Sequence, residues 1–170
     1  TIKQFPNLSC EFAFIDGLHL FEVALADFIN LHFLSKKRSL FLFHDCMPWN
    51  FEMTTREYNL IPKNAPWTGD IWKLIPIFLD AGMSDEICVI PSAPSGILAV
   101  INPKPKSVRK LAENFKQIKD DWLTVSLEQY GLNEYYRLIK YTKVKEFLEI
   151  FDSFKIGKKQ QVSAKEWVSH

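Results

Sequence analysis

Two short apolar runs that each end in an aspartate constrain this chain more than any other feature. The first is Glu11-Phe12-Ala13-Phe14-Ile15-Asp16 and the second is Leu40-Phe41-Leu42-Phe43-His44-Asp45. Both are too short for helices and apolar at successive positions, which suits strands buried on both faces of a parallel sheet. Between them, residues 20–34 carry Phe21, Leu25, Phe28 and Leu31 or His32 at helical spacing, broken by Glu22, Asp27 and Asn30. Lys36-Lys37-Arg38 then reads as positive charge at the helix C-terminus, where the macrodipole favours it. Strand, helix and strand in roughly 35 residues make a βαβ unit with a right-handed crossover. Its two strands run the same way, so Asp16 and Asp45 are expected on one rim, the carboxyl edge at which open α/β sheets bind ligands.

A long loop follows at 46–68, with Pro48, Trp49, Pro62, Pro66 and Trp67, and a loop of that length is a site cover or a disordered stretch. Thr68 reads as the N-cap of a helix with Asp70 in its first turn, running to about Ala81 and closing at Gly82. Residues 87–90 and 97–101 read as two strands joined by Pro91-Ser92-Ala93-Pro94-Ser95-Gly96, a connection short enough for an antiparallel pair. Helices are predicted over 108–119, 133–141 and 144–154, with a break near Gly131, and the polar stretch after Gly157 reads as a frayed end.

Charge divides the chain. Residues 1–103 hold 7 Lys+Arg against 11 Asp+Glu, and residues 104–170 hold 14 against 9. The switch falls at Asn102-Pro103-Lys104-Pro105-Lys106, so the expected organisation is an α/β region over 1–103 and a basic helical extension over 104–170. The two halves cancel to a net charge of +1, and no global field points to nucleic acid or to a membrane surface. Trp122, Tyr130, Tyr135, Tyr136 and Tyr141 in the basic half read as helix packing, since no single-face basic cluster accompanies them. The apolar runs are too short to span a bilayer. Cys10, Cys46 and Cys88 are widely spaced with no CxxC, which argues against a disulfide framework or a zinc knuckle and for a reducing, cytoplasmic setting. A chain starting at Thr1 without a basic-then-apolar leader reads as processed, or as the later part of a longer protein.

Three segments, in order, carry a resemblance: Phe14-Ile15-Asp16-Gly17-Leu18-His19, Phe43-His44-Asp45-Cys46-Met47-Pro48 and Trp67-Thr68-Gly69-Asp70-Ile71-Trp72-Lys73. Over about residues 10–102 the chain resembles the later half of a class I S-adenosylmethionine-dependent methyltransferase, in particular the group described as methyltransferase family 24. The resemblance implies a Rossmann-like sheet from its fourth strand onward, ending in a reversed hairpin of the last two strands. The glycine-rich turn that approaches the cofactor belongs to the earlier half, and here the six glycines are scattered singly.

The resemblance implies S-adenosylmethionine as cofactor, near Asp16 and Gly17, and O-methyl transfer to a small hydroxyl-bearing acceptor. Some relatives of this kind use Mg2+ or Mn2+ held by carboxylates at the ends of these two strands, the positions of Asp16 and Asp45. Oxygen donors suit those ions, and solvated carboxylates are the alternative. In the metal-dependent relatives an amide side chain follows the second carboxylate, where this chain has Cys46, whose thiol also lacks any sign of activation. His19 stands where a general base is placed and titrates in the right range, with Asp16 beside it, and a helix-capping histidine is the alternative. His44, Trp67, Asp70 and Lys73 are the candidate acceptor-binding residues, while His32 and Trp72 read as structural. A phosphohydrolase of the His-Asp type would need further histidines at metal spacing on helices, which the pair His44-Asp45 at a strand end does not supply. The competing class is a non-catalytic interaction module that pairs through the outer edge of the first strand, either with a second copy or with a missing N-terminal half.

Overall fold

In the computed structural model, which describes residues 9–154, β1 (Cys10–Ile15) and β2 (Ser35–His44) run parallel with Phe12 opposite Leu40 and Ile15 opposite Phe43. The crossover is α1 (Phe21–Phe33), whose Phe21, Ala24, Leu25, Phe28 and Ile29 are buried. β3 (Ile87–Ile90) and β4 (Ile97–Ile101) form the expected antiparallel hairpin. β4 inserts against β2, also antiparallel, which gives a four-stranded mixed sheet in the order β1-β2-β4-β3. The chain is thus α/β.

Period-2 alternation explains why whole strands are apolar. Phe41, Phe43, Val89, Leu98 and Val100 face one side, with α1 and α2 (Leu74–Asp80). Leu40, Leu42, Cys88, Ile90 and Ala99 face the other, where α7 (Val144–Ser153) lays Phe147 and Phe151 across them.

Several expectations are corrected. β1 lies at the edge of the sheet with no strand on its outer side among the described residues, and it is not buried on both faces. Phe12 and Phe14 are 46% and 50% exposed, because α7 reaches only as far as Phe12, whose ring meets Phe151 at 5.7 Å. α1 stops at Phe33, so Lys36-Lys37-Arg38 belongs to the start of β2 and not to a helix end; the β1–β2 register slips there, between Cys10 and Phe12. Thr68 caps nothing: its hydroxyl donates to the Met53 and Gly69 carbonyls, and a 3-10 turn at Ile71–Lys73 precedes α2. The helix expected over 108–119 is two, α3 (Pro105–Glu113) and α4 (Phe115–Trp122), meeting at Asn114. α5 (Leu127–Tyr130) and α6 (Leu132–Leu138) flank Gly131, whose φ of 95° suits glycine. The stretch after Gly157 lies outside the described residues.

The basic helical segment does not stand apart. Val108, Leu111, Leu127, Tyr135 and Ile139 join the same buried cluster as the sheet and α1. Trp72 packs within 6.2 Å of the rings of Trp122, Tyr130 and Tyr135, so those aromatics are spent on packing. Beyond α6 the chain returns to the outer edge of β3. There the Val89 N–H donates to the Lys140 carbonyl at 3.1 Å, and the Thr142 N–H donates to the Val89 carbonyl at 2.9 Å. No helix among the described residues is long and apolar enough to cross a membrane.

His32 supplies a pH signature. Its ring lies among Phe28, Phe33 and Phe41, Nδ1 has no hydrogen-bond partner among the described residues, and burial lowers its pKa despite the opposing charge of Glu86. A folded-state pKa below the unfolded value of about 6.5 means that the unfolded chain takes the proton first as pH falls. Stability is therefore complete above that pH and declines below it, until the folded protein also protonates. Melting curves at pH 7.5 and 5.5 should show a drop for the native chain, and His32→Phe should reduce it; an equal drop in both excludes His32 as a contributor.

Candidate functional site

Asp16 and Asp45 meet on the carboxyl rim, as parallel strands joined by one helix require. Three ligand-type atoms, from Asp16, His19 and Asp45, lie within 4.8 Å of one another. His19 Nε2 is 3.4 Å from Asp16 Oδ1 and 3.1 Å from Asp45 Oδ2. His44 joins them, its Nδ1 3.1 Å from Asp45 Oδ2 and 3.6 Å from Asp16 Oδ1. Asp16 is the open member, with 41% of its side chain exposed, and Asp45 the enclosed one at 8%.

The surroundings fix the enclosed members. Ser95, buried in the β3–β4 turn, donates its hydroxyl to Asp45 Oδ1, which leaves Oδ2 turned toward both histidines. Ser95 also accepts the Met47 N–H through its carbonyl at 2.6 Å. His19 Nδ1 lies 3.1 Å from the Trp67 carbonyl. A carbonyl only accepts, so Nδ1 carries a proton, and Nε2 faces the two carboxylates. The Trp67 ring lies 4.7 Å from the His19 ring, and its Nε1 donates to the Thr55 carbonyl at 2.7 Å. Both His19 (φ 53°) and Asp45 (φ 63°) adopt the left-handed backbone region, a costly choice that concentrates at functional sites.

The structure therefore gathers Asp16, His19, His44, Asp45 and Trp67. It does not bring Asp70 and Lys73 to them, contrary to their expected place beside an acceptor. Both are 2% exposed and bonded within the protein. Asp70 Oδ1 accepts the Phe21 N–H at 2.8 Å, which caps α1 from 49 residues away. Its Oδ2 takes Lys73 Nζ at 2.9 Å and also Arg56, while Lys73 reaches the Trp122 carbonyl at 2.7 Å. Burial pushes the Lys73 pKa down against the pull of Asp70. Arg56, from the cover loop, also grips Glu22 at 2.5 Å; burial opposes the Glu22 charge, but Arg56 outweighs it and the carboxyl is lowered. The loop is thus pinned to α1, with two short 3-10 turns at Glu52–Thr54 and Tyr58–Leu60.

Gly17 has open space around it, and the hollow it lines with Asp16, His19, Asp27 and His44 measures about 10 Å³, room for about one water. Cys46 is fully buried, and desolvation raises its thiol pKa well above the ordinary range, so it is no nucleophile.

Sequence reasoning missed the roles of Ser95 and Asp70. The one available sign was Leu20: a helix preceded by leucine has no cap of its own and must draw one from elsewhere. No family model, curated protein or solved structure matches this chain, so the reading of the site rests on its geometry.

Proposed function

We propose that this chain carries the acceptor-activating part of an S-adenosylmethionine-dependent O-methyltransferase acting on a small hydroxyl compound. The observation that carries the reading is the convergence of Asp16, His19 and Asp45 at the carboxyl ends of a parallel strand pair. A parallel pair followed by a reversed hairpin, with β4 set against β2, agrees with the later half of that sheet.

The cofactor itself does not fit the hollow beside Gly17. A hollow of about 10 Å³ beside Gly17 is far below the 300 Å³ or more of an ordinary ligand pocket, and no glycine-rich turn faces it. Asp16 and Gly17 would then form only one wall of that site, the rest coming from a partner chain or a second copy. A divalent ion does fit: Asp45 is enclosed and turned inward by Ser95, and Asp16 is open to an incoming ligand. Mg2+ or Mn2+ held there supplies Lewis acidity that eases ionisation of a hydroxyl. The chain's own residues do the remainder. A histidine nitrogen of the cluster accepts the hydroxyl proton, and the flanking carboxylates stabilise the imidazolium. Trp67 holds His19 in one tautomer.

Calorimetric titration with S-adenosylmethionine and its demethylated product tests the reading. The protein should bind both in the micromolar range, about −8 kcal/mol. Asp45→Asn should then abolish methyl transfer to hydroxyl compounds while binding persists. A protein that binds neither compound sinks the proposal.

The second reading, an interaction module, is favoured by the outer edge of β1, which pairs with no strand among the described residues, beside half-exposed Phe12 and Phe14. Light scattering decides it: dimers or larger species support pairing through that edge, and a monodisperse monomer removes it.

A further inference from the structure

We infer that the cleft between the cover loop and the α4–α5 connection is a second small-molecule site, built for an uncharged, planar carbonyl compound such as an aryl amide. It is independent of the methyltransferase reading and needs neither cofactor nor metal.

A cavity of about 270 Å³ opens between Thr54, Thr55 and Arg56 of the cover loop and Leu123, Thr124 and Ser126 of the α4–α5 connection. It is far larger than the hollow beside Gly17 and close to the lower end of ordinary ligand pockets, about 300 Å³. None of Asp16, His19, His44 and Asp45 lines it. Thr55 joins the two places, because its carbonyl accepts the Trp67 indole N–H at 2.7 Å and the Trp67 ring lies 4.7 Å from that of His19.

The polar lining has hydrogens left to give. Asp70 is already taken, its Oδ1 by the Phe21 N–H and its Oδ2 by Lys73 and Arg56. Arg56 also occupies both oxygens of Glu22. The donors are not used up in this way. Those bonds engage both Nη atoms of Arg56 and leave its Nε–H without a partner among the described residues. The Thr55 and Ser126 hydroxyls act as acceptors, from the Glu57 N–H at 3.2 Å and the Gln129 N–H at 3.1 Å, so each keeps its own hydrogen to donate. A ligand that satisfies this lining presents acceptors.

Charge then sets its class. Arg56 and Lys73 are matched by Asp70 and Glu22, and Glu128 is a further lining acid. A ligand carboxylate would sit beside Asp70 with no surplus cation to hold it, and a ligand cation would face donors and two positive side chains. A carbonyl oxygen accepts from the same donors and brings no charge. Phe51 and Leu123, 41% and 37% exposed, add apolar surface to the lining for a flat ring to lie on.

Titration of the 15N-labelled full chain with benzamide, benzoate and benzamidine tests this, since the three share one shape and differ in charge. Benzamide should give saturable shifts of the Thr55, Thr124 and Ser126 amide signals and of the Arg56 Nε–H, with a low-millimolar dissociation constant. Benzoate and benzamidine should each bind about tenfold more weakly or less. Thr124→Trp, at an exposed lining position, should fill the cleft and abolish the benzamide shifts. Thr55→Val removes one hydroxyl at nearly constant shape and should weaken benzamide about fivefold. Circular dichroism verifies that both variants are folded. Absence of saturable shifts at these positions, undiminished binding in Thr124→Trp, or either charged probe binding as tightly as benzamide overturns the inference; unchanged affinity in Thr55→Val overturns the donor argument behind it.

Discussion

Gly69→Ala should be among the most damaging single substitutions in this chain, costing on the order of 3 kcal/mol and lowering the melting temperature by roughly 10 °C. Gly69 has φ +52°, and a Cβ there would run into the carbonyl oxygen of His19, which must instead accept the Asp70 N–H at 3.1 Å. The strand-end loop carrying His19 and the segment entering α2 are pressed together at this point, and only a hydrogen side chain allows it. Gly82→Ala is the control. Its φ is +81° but nothing lies within 4 Å of the added carbon. It should lose only the backbone cost of about 1–2 kcal/mol. Thermal melts of both variants isolate the steric part, and equal losses would show that the approach to His19 is not the cause.

Asp70→Ala should cost about 3–5 kcal/mol, as removal of one partner from a buried ion pair does. The same carboxylate caps α1 at the Phe21 N–H, neutralises Lys73 and holds Arg56 of the cover loop. Its loss strands the ammonium of Lys73 at 2% exposure. Asp70→Ala with Lys73→Met should recover part of that loss, because the uncompensated charge leaves together with its partner. Denaturant unfolding of the two variants checks this. A loss below about 1 kcal/mol in Asp70→Ala, the value of an exposed pair, would remove Asp70 from the centre of the network.

How far the sequence could be read differs from element to element. The βαβ unit and the shared rim of Asp16 and Asp45 were legible because both follow from periodicity and the parallel rule. The order of the hairpin strands was implied only by resemblance, and the exposed face of β1 was hidden, since an apolar run does not reveal which neighbour is lacking. Asp70 was misread for a physical reason. Cap preferences are local statistics, and this carboxylate serves a helix 49 residues earlier in the chain. Lys73 followed it into burial. Ser95 gave no signal, because a serine in a proline-rich turn is ordinary until the fold sets it against Asp45. The charge switch near residue 103 was real, but it marks where surface charges lie, since Val108, Leu111 and Tyr135 pack into the same interior as the sheet.

The sheet has a polarity of growth. One margin is sealed, because the backbone of Val89 is already engaged by Lys140 and Thr142. Among the described residues, new strands have one place to attach, along β1, whose last residue is followed directly by Asp16. Any strand laid parallel there would end next to the His19 cluster and raise a wall beside it, so widening the sheet and enclosing the cluster would be a single event.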